Sequence, residues 1–309
     1  MALLSLVIPC YNEEKTIPIF YNEICKIEKE LGTDIEFCFI DDGSFDNTLQ
    51  ILRDLRKQDA RVHYRSFSRN FGKEAGLLAG LEFAKGDYVV TMDVDLQDPP
   101  FLLPQMYTFL TENADTYDCV ATRRETRKGE PIIRSLFAKI FYRLINRLSE
   151  TEIKDGARDF RMMSRKMVNA IIADHEYNRF SKGIFSWVGF NTHWISYENI
   201  ERSAGHTKWS FWKLFKYALD GLIAYSTTPL YVSSILGLVM CFISFIFLII
   251  VVVRALIWGD PVSGWPSLVS IIIFIGGLLM MFMGIIGLYI SKIYLETKQR
   301  QIYIVKEEE

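Results

Sequence analysis

Three acids close the apolar run "GDYVVTMDVDLQDPP": Asp93, Asp95 and Asp98. In an extended chain, Asp93 and Asp95 leave the same face about 6.5 Å apart along the strand, so both address one ligand. Paired hard oxygen donors suit Mg²⁺ or Mn²⁺, ions that keep several waters and bridge substrate phosphates through one or two carboxylates. Two like charges at a buried strand end repel each other, and a cation relieves that repulsion. Capping a helix that starts near "DPPFLLPQM" is a plainer role, and it suits Asp98 better than the other two. A nucleotide pocket around such an ion needs further groups. Asp41 and Asp42 stand before Gly43 and Ser44, where an acid accepts from a base N–H or a ribose hydroxyl. Two turn acids are the plainer reading of the same pair. Gly72 permits close backbone approach, and Lys73 offers a phosphate or base contact. The chain has no Walker-type phosphate loop and no GxGxxG, so ATP hydrolysis and dinucleotide binding lose their usual support.

Periodicity indicates the elements that must position these residues. Short apolar or β-branched runs occupy residues 3–9, 35–40, 62–67, 87–92 and 118–121. Segments with helical spacing, such as "TIPIFYNEICKIEKEL" and "NTLQILRDLRKQ", separate them. Strands alternating with helices predict an α/β fold with a mostly parallel sheet. Ligands bind beyond the carboxyl ends of such strands. The polar loops "CYNEE", "DDGSFDN" and "SRNFGKEAG" follow the first three strands and the acids follow the fourth, so one edge collects the candidate chemistry.

The 309-residue chain is 50% hydrophobic, which is rich for a soluble enzyme. The excess lies in two uncharged runs, Leu230–Val253 and Leu268–Ile290, each long enough to cross a bilayer as a helix. A pair of buried core helices is the alternative. Lys208, Lys213 and Lys216 precede the first run and Lys292, Lys298 and Arg300 follow the second, whereas the intervening loop offers only Arg254. That asymmetry predicts both termini in the cytoplasm and "ALIWGDPVSGWPS" outside. The N-terminal "MALLSLVIP" lacks the basic region of a signal peptide and reads as a strand. Five cysteines without a CxxC pair argue against a disulfide framework and suit a reducing cytosol. The net charge of −2 decides nothing by itself, and no nucleic acid is expected as a partner.

Residues 134–148 align Leu136, Phe137, Ile140, Phe141, Leu144, Ile145 and Leu148 on one helical stripe with arginines around it. A basic amphipathic helix suits an anionic membrane surface, and an ordinary packed surface helix is the alternative. Residues 208–228 carry similar aromatic and lysine content and lead into the first span. Small residues recur at Ser233, Gly237, Cys241 and Ser244, and again at Gly277 and Gly284. They either pack the hairpin on itself or join protomers of a homo-oligomer. The tail "RQIYIVKEEE" either adds a strand to a sheet or is disordered.

Taken together, "LVIPCYNEEKTI", "FIDDGSFDNT", "RNFGKEAGLLAGLEFAKGD" and "MDVDLQDPP" resemble glycosyltransferase family 2, with its GT-A (Rossmann-like) nucleotide-sugar fold and Asp-X-Asp metal motif. With "DGARDFRMMSR", "ERSAGHTKWS" and two C-terminal spans, the resemblance narrows to polyprenyl-phosphate glycosyltransferases of the dolichyl-phosphate mannosyltransferase and bactoprenol glucosyltransferase type. It implies a cytosolic GT-A domain over 1–207, a juxtamembrane interface helix over 208–228, two transmembrane helices over 229–291 and a cytosolic tail over 292–309. It also implies that Pro9, Tyr11, Glu13, Asp41 and Asp42 contact the nucleotide, and that Asp93, Asp95 and Gln97 surround Mg²⁺ or Mn²⁺. Arg123 and Arg134 line the sugar and acceptor side, while Arg202 and Lys208 reach phosphates just above the membrane. His206 receives no chemistry.

The activity implied is inverting transfer of a sugar from a nucleotide sugar, with UDP-glucose or UDP-GlcNAc favoured, to undecaprenyl phosphate in a bacterial plasma membrane. Asp159 corresponds to an acid proposed as a base in bactoprenol-type relatives, whereas dolichyl-type relatives keep the acid at Asp155. A phosphomonoester has a second pKa near 6, so most acceptor is already a dianion at neutral pH. Asp159 therefore reads as a positioning residue, and Asp159→Asn is expected to spare more activity at pH 8 than at pH 5.5. A processive polysaccharide synthase shares the front motifs, but the chain lacks QxxRW and has too few spans for a channel. A membrane-anchored nucleotide-sugar binder without catalysis is the other alternative.

Overall fold

The computed structural model describes residues 2–124, 154, 156–197, 228–258 and 264–309. The expected interface helices over 134–148 and 208–228 lie outside these residues, except for Thr228. Strand β1 (Leu3–Cys10) buries Leu4, Leu6 and Ile8 in one cluster and Val7 in another, the alternation of a strand covered on both faces. Helix α1 (Ile17–Leu31) follows because Ile17, Phe20, Ile24 and Leu31 share a buried stripe. Gly32 ends it at φ 65°, in the left-handed region that a residue without Cβ adopts freely.

The alternation continues through β2 (Asp34–Asp41), α2 (Thr48–Gln58), β3 (Val62–Phe67), α3 (Lys73–Phe83) and β4 (Tyr88–Thr91). A 3₁₀ turn at Pro100–Leu102 then leads into α4 (Leu103–Glu112) and β5 (Cys119–Arg124). Beyond these lie β6 (Ala157–Ser164), α5 (Arg165–Ala173), α6 (Ser181–Trp187), β7 (Thr192–Tyr197), α7 (Thr228–Trp258), α8 (Trp265–Thr297) and β8 (Val305–Glu308). One mixed sheet runs β7-β5-β6-β4-β1-β2-β3-β8. Four pairings are parallel and three antiparallel, the latter being β4 with β6, β5 with β6, and β3 with β8. The sheet is thus mostly parallel, as the alternating pattern predicts. Helices α1, α2 and α4 cover one face, and α3, α5 and α6 the other. Helix α3 sits close on the sheet because a Cβ at Gly80 would collide with Val7, and that seating carries Lys73 to the sheet edge.

Helices α7 and α8 are long and apolar enough to cross a membrane, and the protein covers only 6% and 0% of their two apolar windows. Leu238 is 72% exposed and Met280 is 70% exposed. That exposure does not fit buried core helices, and both helices are candidate membrane spans. A Cβ at Gly237, Gly277 or Gly284 would meet nothing within 4 Å, so these small residues do not pack the hairpin on itself. The tail resolves as a strand: β8 pairs with the edge strand β3, matching Arg65 to Glu308 and Ser66 to Glu307. Arg53 Nε donates to Glu307 at 2.8 Å and Tyr303 stacks on Phe67 at 4.8 Å, tying the end of α8 back to the sheet.

Candidate active site

At the carboxyl end of β2, Asp41 is fully buried, and both of its oxygens are used within the protein. Ser44 N–H donates to Oδ1 at 3.0 Å and the Ser66 hydroxyl to Oδ2 at 2.7 Å. Asp42 accepts from the backbone N–H of Phe71 at 2.6 Å and of Gly72 at 3.0 Å. Burial pushes the Asp42 carboxyl up to about 6, against the pull of those two donors. Both acids therefore hold loops together, and Asp42 Oδ1 accepts from both Phe71 and Gly72 N–H.

The first loop is locked to the second in the same way. Asn12, in the left-handed region at φ 55°, donates its N–H to Ser44 Oγ at 2.9 Å and accepts from Phe45 N–H at 3.0 Å. Tyr11 and Phe45 meet edge to face at 6.0 Å. Glu13 accepts from the Thr16 hydroxyl at 2.8 Å, and Pro9 lies under the start of α3 beside Gly76.

At the end of β4 the geometry differs from the extended chain expected for Asp93 and Asp95. The strand stops at Thr91, and the acids lie on a turn in which Leu96 takes φ 58° while nearly buried. A bulky residue in the left-handed region costs on the order of 1–2 kcal/mol and marks a loop whose path is imposed by its surroundings. Gln97 N–H donates to Asp95 Oδ1 at 3.1 Å and fixes the turn. Asp98 does not cap the following helix. It is fully buried, accepts from Asp93 N–H at 3.2 Å, and is ion-paired to Arg158 Nε at 3.0 Å with the Tyr197 hydroxyl at 3.2 Å.

The Lys73 ammonium joins the centre of the site. It lies 2.7 Å from Asp93 and 2.6 Å from Asp159, two acids 66 positions apart in sequence (159 − 93) that β4 and β6 bring together. Burial lowers the Lys73 ammonium, but the Asp159 and Asp93 carboxylates outweigh it and hold it above its usual range. Burial raises Asp159, yet Lys73 and Lys182 outweigh that and hold the carboxyl well below the usual carboxylate range. Next to Lys73, Glu74 accepts from Ser181 N–H at 2.8 Å and from the Ser181 hydroxyl.

Of the expected site residues, Lys73, Asp93 and Asp159 meet directly, and Asp95 and Gln97 share the same turn. Arg123 stands on β5 with Nε donating to Ser196 Oγ at 2.8 Å. Arg134, Asp155, Arg202, His206 and Lys208 lie outside the described residues. Arg158, Glu74 and Lys182 escaped the sequence reading, and Asp98 was read as a helix cap. The alternation of buried Phe160 and Met162 with Asp159 and Arg161 was the available signal for β6.

The donor chemistry fits a hard divalent cation. Among the described residues no three His, Cys, Asp or Glu side chains group as a metal cage, so two carboxylates would need ligands from phosphate oxygen and water, the usual Mg²⁺ arrangement. Arg158 Nη2 is buried without a hydrogen-bond partner among the described residues, beside the ion-paired Asp98. An orphaned guanidinium N–H and two carboxylates at one strand end are complementary to a cation with an attached anion.

A mixed α/β sheet presents acids at its carboxyl edge, and the sequence comparisons supply the class of protein. Residues 5–172 match glycosyl transferase family 2, and the chain belongs to that family, with its GT-A fold. A Bacillus subtilis (strain 168) protein, CsbB, is 43% identical over 305 residues, covering 99% of this chain and 92% of its own. Bactoprenol glucosyl transferase of Shigella phage SfV is 41% identical over 305 residues, covering 99% and 98%. Among solved structures, glucosyl-3-phosphoglycerate synthase from Mycobacterium tuberculosis, in complex with Mn²⁺, UDP-glucose and phosphoglyceric acid, superposes with a TM-score of 0.47 at 19% identity, covering 72% and 78% of the two chains.

Proposed function

We propose that this protein transfers glucose from UDP-glucose to undecaprenyl phosphate in a bacterial plasma membrane, with inversion at the anomeric carbon. The observation that carries this reading is the end-to-end similarity to a bactoprenol glucosyl transferase, which includes the two apolar helices as well as the sheet. An acceptor oxygen forms a bond to C1 of the sugar as the bond from C1 to the diphosphate breaks on the opposite face.

Asp93, Asp95 and Gln97 would hold Mg²⁺ or Mn²⁺, which supplies neutralisation of the charge growing on the leaving diphosphate. Lys73, charged and held by two acids, orients Asp93 and Asp159. Asp159 positions the sugar or the acceptor, with Asp155 beside it in sequence, and Arg158 offers an N–H to an anionic oxygen. Pro9, Tyr11, Glu13, Asp41 and Asp42 form the nucleotide side, where Tyr11 and Phe45 present aromatic faces for a base. Arg123 and Arg134 serve the sugar and acceptor side, and Arg202 and Lys208 the phosphates near the bilayer.

The organisation that goes with this chemistry is a cytoplasmic GT-A domain over 1–207, interface helix 208–228, spans within 229–291 and a cytoplasmic tail. Pairing of β8 with β3 supports a tail on the same side as the sheet. The uncovered glycines of α7 and α8 support contacts between copies in a homo-oligomer. A long prenyl chain does not leave the bilayer, because each buried CH₂ adds about 0.8 kcal/mol, so the enzyme must work at the membrane surface. The test is incubation of membranes containing the protein with radiolabelled UDP-glucose or UDP-GlcNAc. Label from UDP-glucose enters the lipid extract and chelation stops it; label confined to water-soluble or polymeric product overturns the reading.

A further inference from the structure

Two lysines act on Asp159, and the sequence neighbours of those lysines touch each other. Lys73 Nζ lies 2.6 Å from Asp159, and Lys182 is the second cation that holds the Asp159 carboxyl low. Lys73 and Glu74 open α3, while Ser181 and Lys182 open α6. Glu74 Oε2 accepts from Ser181 N–H at 2.8 Å and also from the Ser181 hydroxyl. One carboxylate oxygen thus joins the two helix starts, each the immediate neighbour of a lysine. Adjacent Cα atoms are about 3.8 Å apart, so a shift of either helix start carries its lysine with it.

Ser181 is an anchored partner in that contact. Glu296, in the last turn of α8, accepts from the N–H groups of Tyr177 and Asn178, each at 3.0 Å, and Lys292 Nζ donates to Asn178 Oδ1 at 3.2 Å. Arg179 donates to the carbonyls of Asp174 and Ile171. Asp42 holds the loop before α3 through Phe71 and Gly72 N–H. Those bonds fix each start separately; Glu74 joins the two. Capping α6 is the plainer role of the same bonds, because the first N–H groups of a helix lack partners within it. Burial pushes the Glu74 carboxyl up, the Ser181 hydroxyl pulls it down, and nearby Asp159 pushes it up again, so an acid here is a costlier cap than a neutral oxygen. We propose that Glu74 is a positioning residue: through Ser181 it sets the spacing of Lys73 and Lys182 around Asp159, a role that rests on the transfer reaction proposed above.

Glu74→Gln keeps an acceptor oxygen for both Ser181 donors, and Glu74→Ala removes it. In the full-length protein assayed with radiolabelled UDP-glucose and undecaprenyl phosphate, Glu74→Ala lowers kcat about tenfold through misplacement, while KM for UDP-glucose moves by less than about twofold. Glu74→Gln recovers most of that loss. Ser181→Ala, which keeps the N–H and loses the hydroxyl, falls between the two, and it decides by the same criteria if Glu74→Ala does not fold. Loss of a cap alone would lower Tm and leave kcat per folded molecule unchanged. A second readout needs no turnover: a carbodiimide joins a lysine to a carboxylate in contact with it, so mass spectrometry finds a Lys73–Asp159 amide in the wild type, less of it in Glu74→Ala, and the wild-type yield in Glu74→Gln. A wild type that forms this amide but transfers no glucose would overturn the proposed function, while the cross-link yields still decide the positioning of Lys73. Unchanged kcat per folded molecule in Glu74→Ala and Ser181→Ala, a loss in Glu74→Gln as deep as in Glu74→Ala, or equal cross-linking in the wild type and Glu74→Ala would overturn the positioning role.

Discussion

Two pairs of acids end strands β2 and β4, one strand apart in the same sheet, and the protein holds them by opposite means. Asp41 and Asp42 accept from Ser44, Ser66, Phe71 and Gly72, neutral donors on the neighbouring loops and on β3. Asp93 is held by a lysine that it shares with Asp159 from another strand. Neutral hydrogen bonds are a way to fix loops; a single ammonium shared between two carboxylates is a charge balance that a second cation or an anion can rearrange. The comparison teaches that acids at strand ends are not equivalent, and that the partner's charge separates scaffold from chemistry.

The largest expected effect comes from breaking the β4 side. Asp95→Asn lowers kcat about 10²–10³-fold, the scale of losing one preorganised charge-stabilising group, with little change in Tm. Asp159→Asn follows at about 10²-fold through misplacement. The ion pair changes the pH expectation for this variant. Held well below the usual range by Lys73 and Lys182, Asp159 has little basicity to lend, so the fractional loss should be the same at pH 5.5 and pH 8. Initial rates at both values decide it; a loss confined to low pH restores a base role.

The β2 side should fail in stability before it fails in rate. Asp41→Ala strands two donors, one of them on a buried hydroxyl, and costs about 1–3 kcal/mol by thermal or chemical unfolding. Asp42 sharpens the contrast through pH. Its carboxyl is raised from 3.8 to about 6, so the folded state takes up a proton before the unfolded state does. The associated stability is full below about pH 4 and is lost as pH rises through 6. Tm of the wild type relative to Asp42→Asn therefore rises as pH falls from 7 to 4.5; a flat difference contradicts the assignment. The smallest effect is at the tail, where Glu307→Gln loses a half-exposed pair with Arg53 and costs under about 1 kcal/mol.

Strands β1 to β5 and both apolar helices were legible because burial on two faces, or in lipid, writes continuous apolar runs. Strand β6 was not, since Arg158, Asp159 and Arg161 interrupt its apolar residues and read as a polar motif. Strand β8 was ambiguous because "VKEE" is an edge strand, and its pairing depends on Arg53, Arg65 and Tyr64 nearly 250 positions away (307 − 64 = 243). Separation in sequence also hid the partners of Asp98: its neighbours propose a helix cap, while Arg158 and Tyr197 come from strands 60 and 99 positions later. Asp93 and Asp95 were found by spacing, but the turn that presents them, with Leu96 left-handed, depends on tertiary contacts that spacing does not encode.

The most direct measurement is electron paramagnetic resonance of Mn²⁺ titrated into the purified protein with UDP-glucose present. The wild type and a folded Asp41→Asn variant should both take up the ion, whereas Asp95→Asn should leave it free in solution. Equal uptake by Asp95→Asn, or no uptake by the wild type, would contradict the assignment of the β4 acids as the seat of the chemistry.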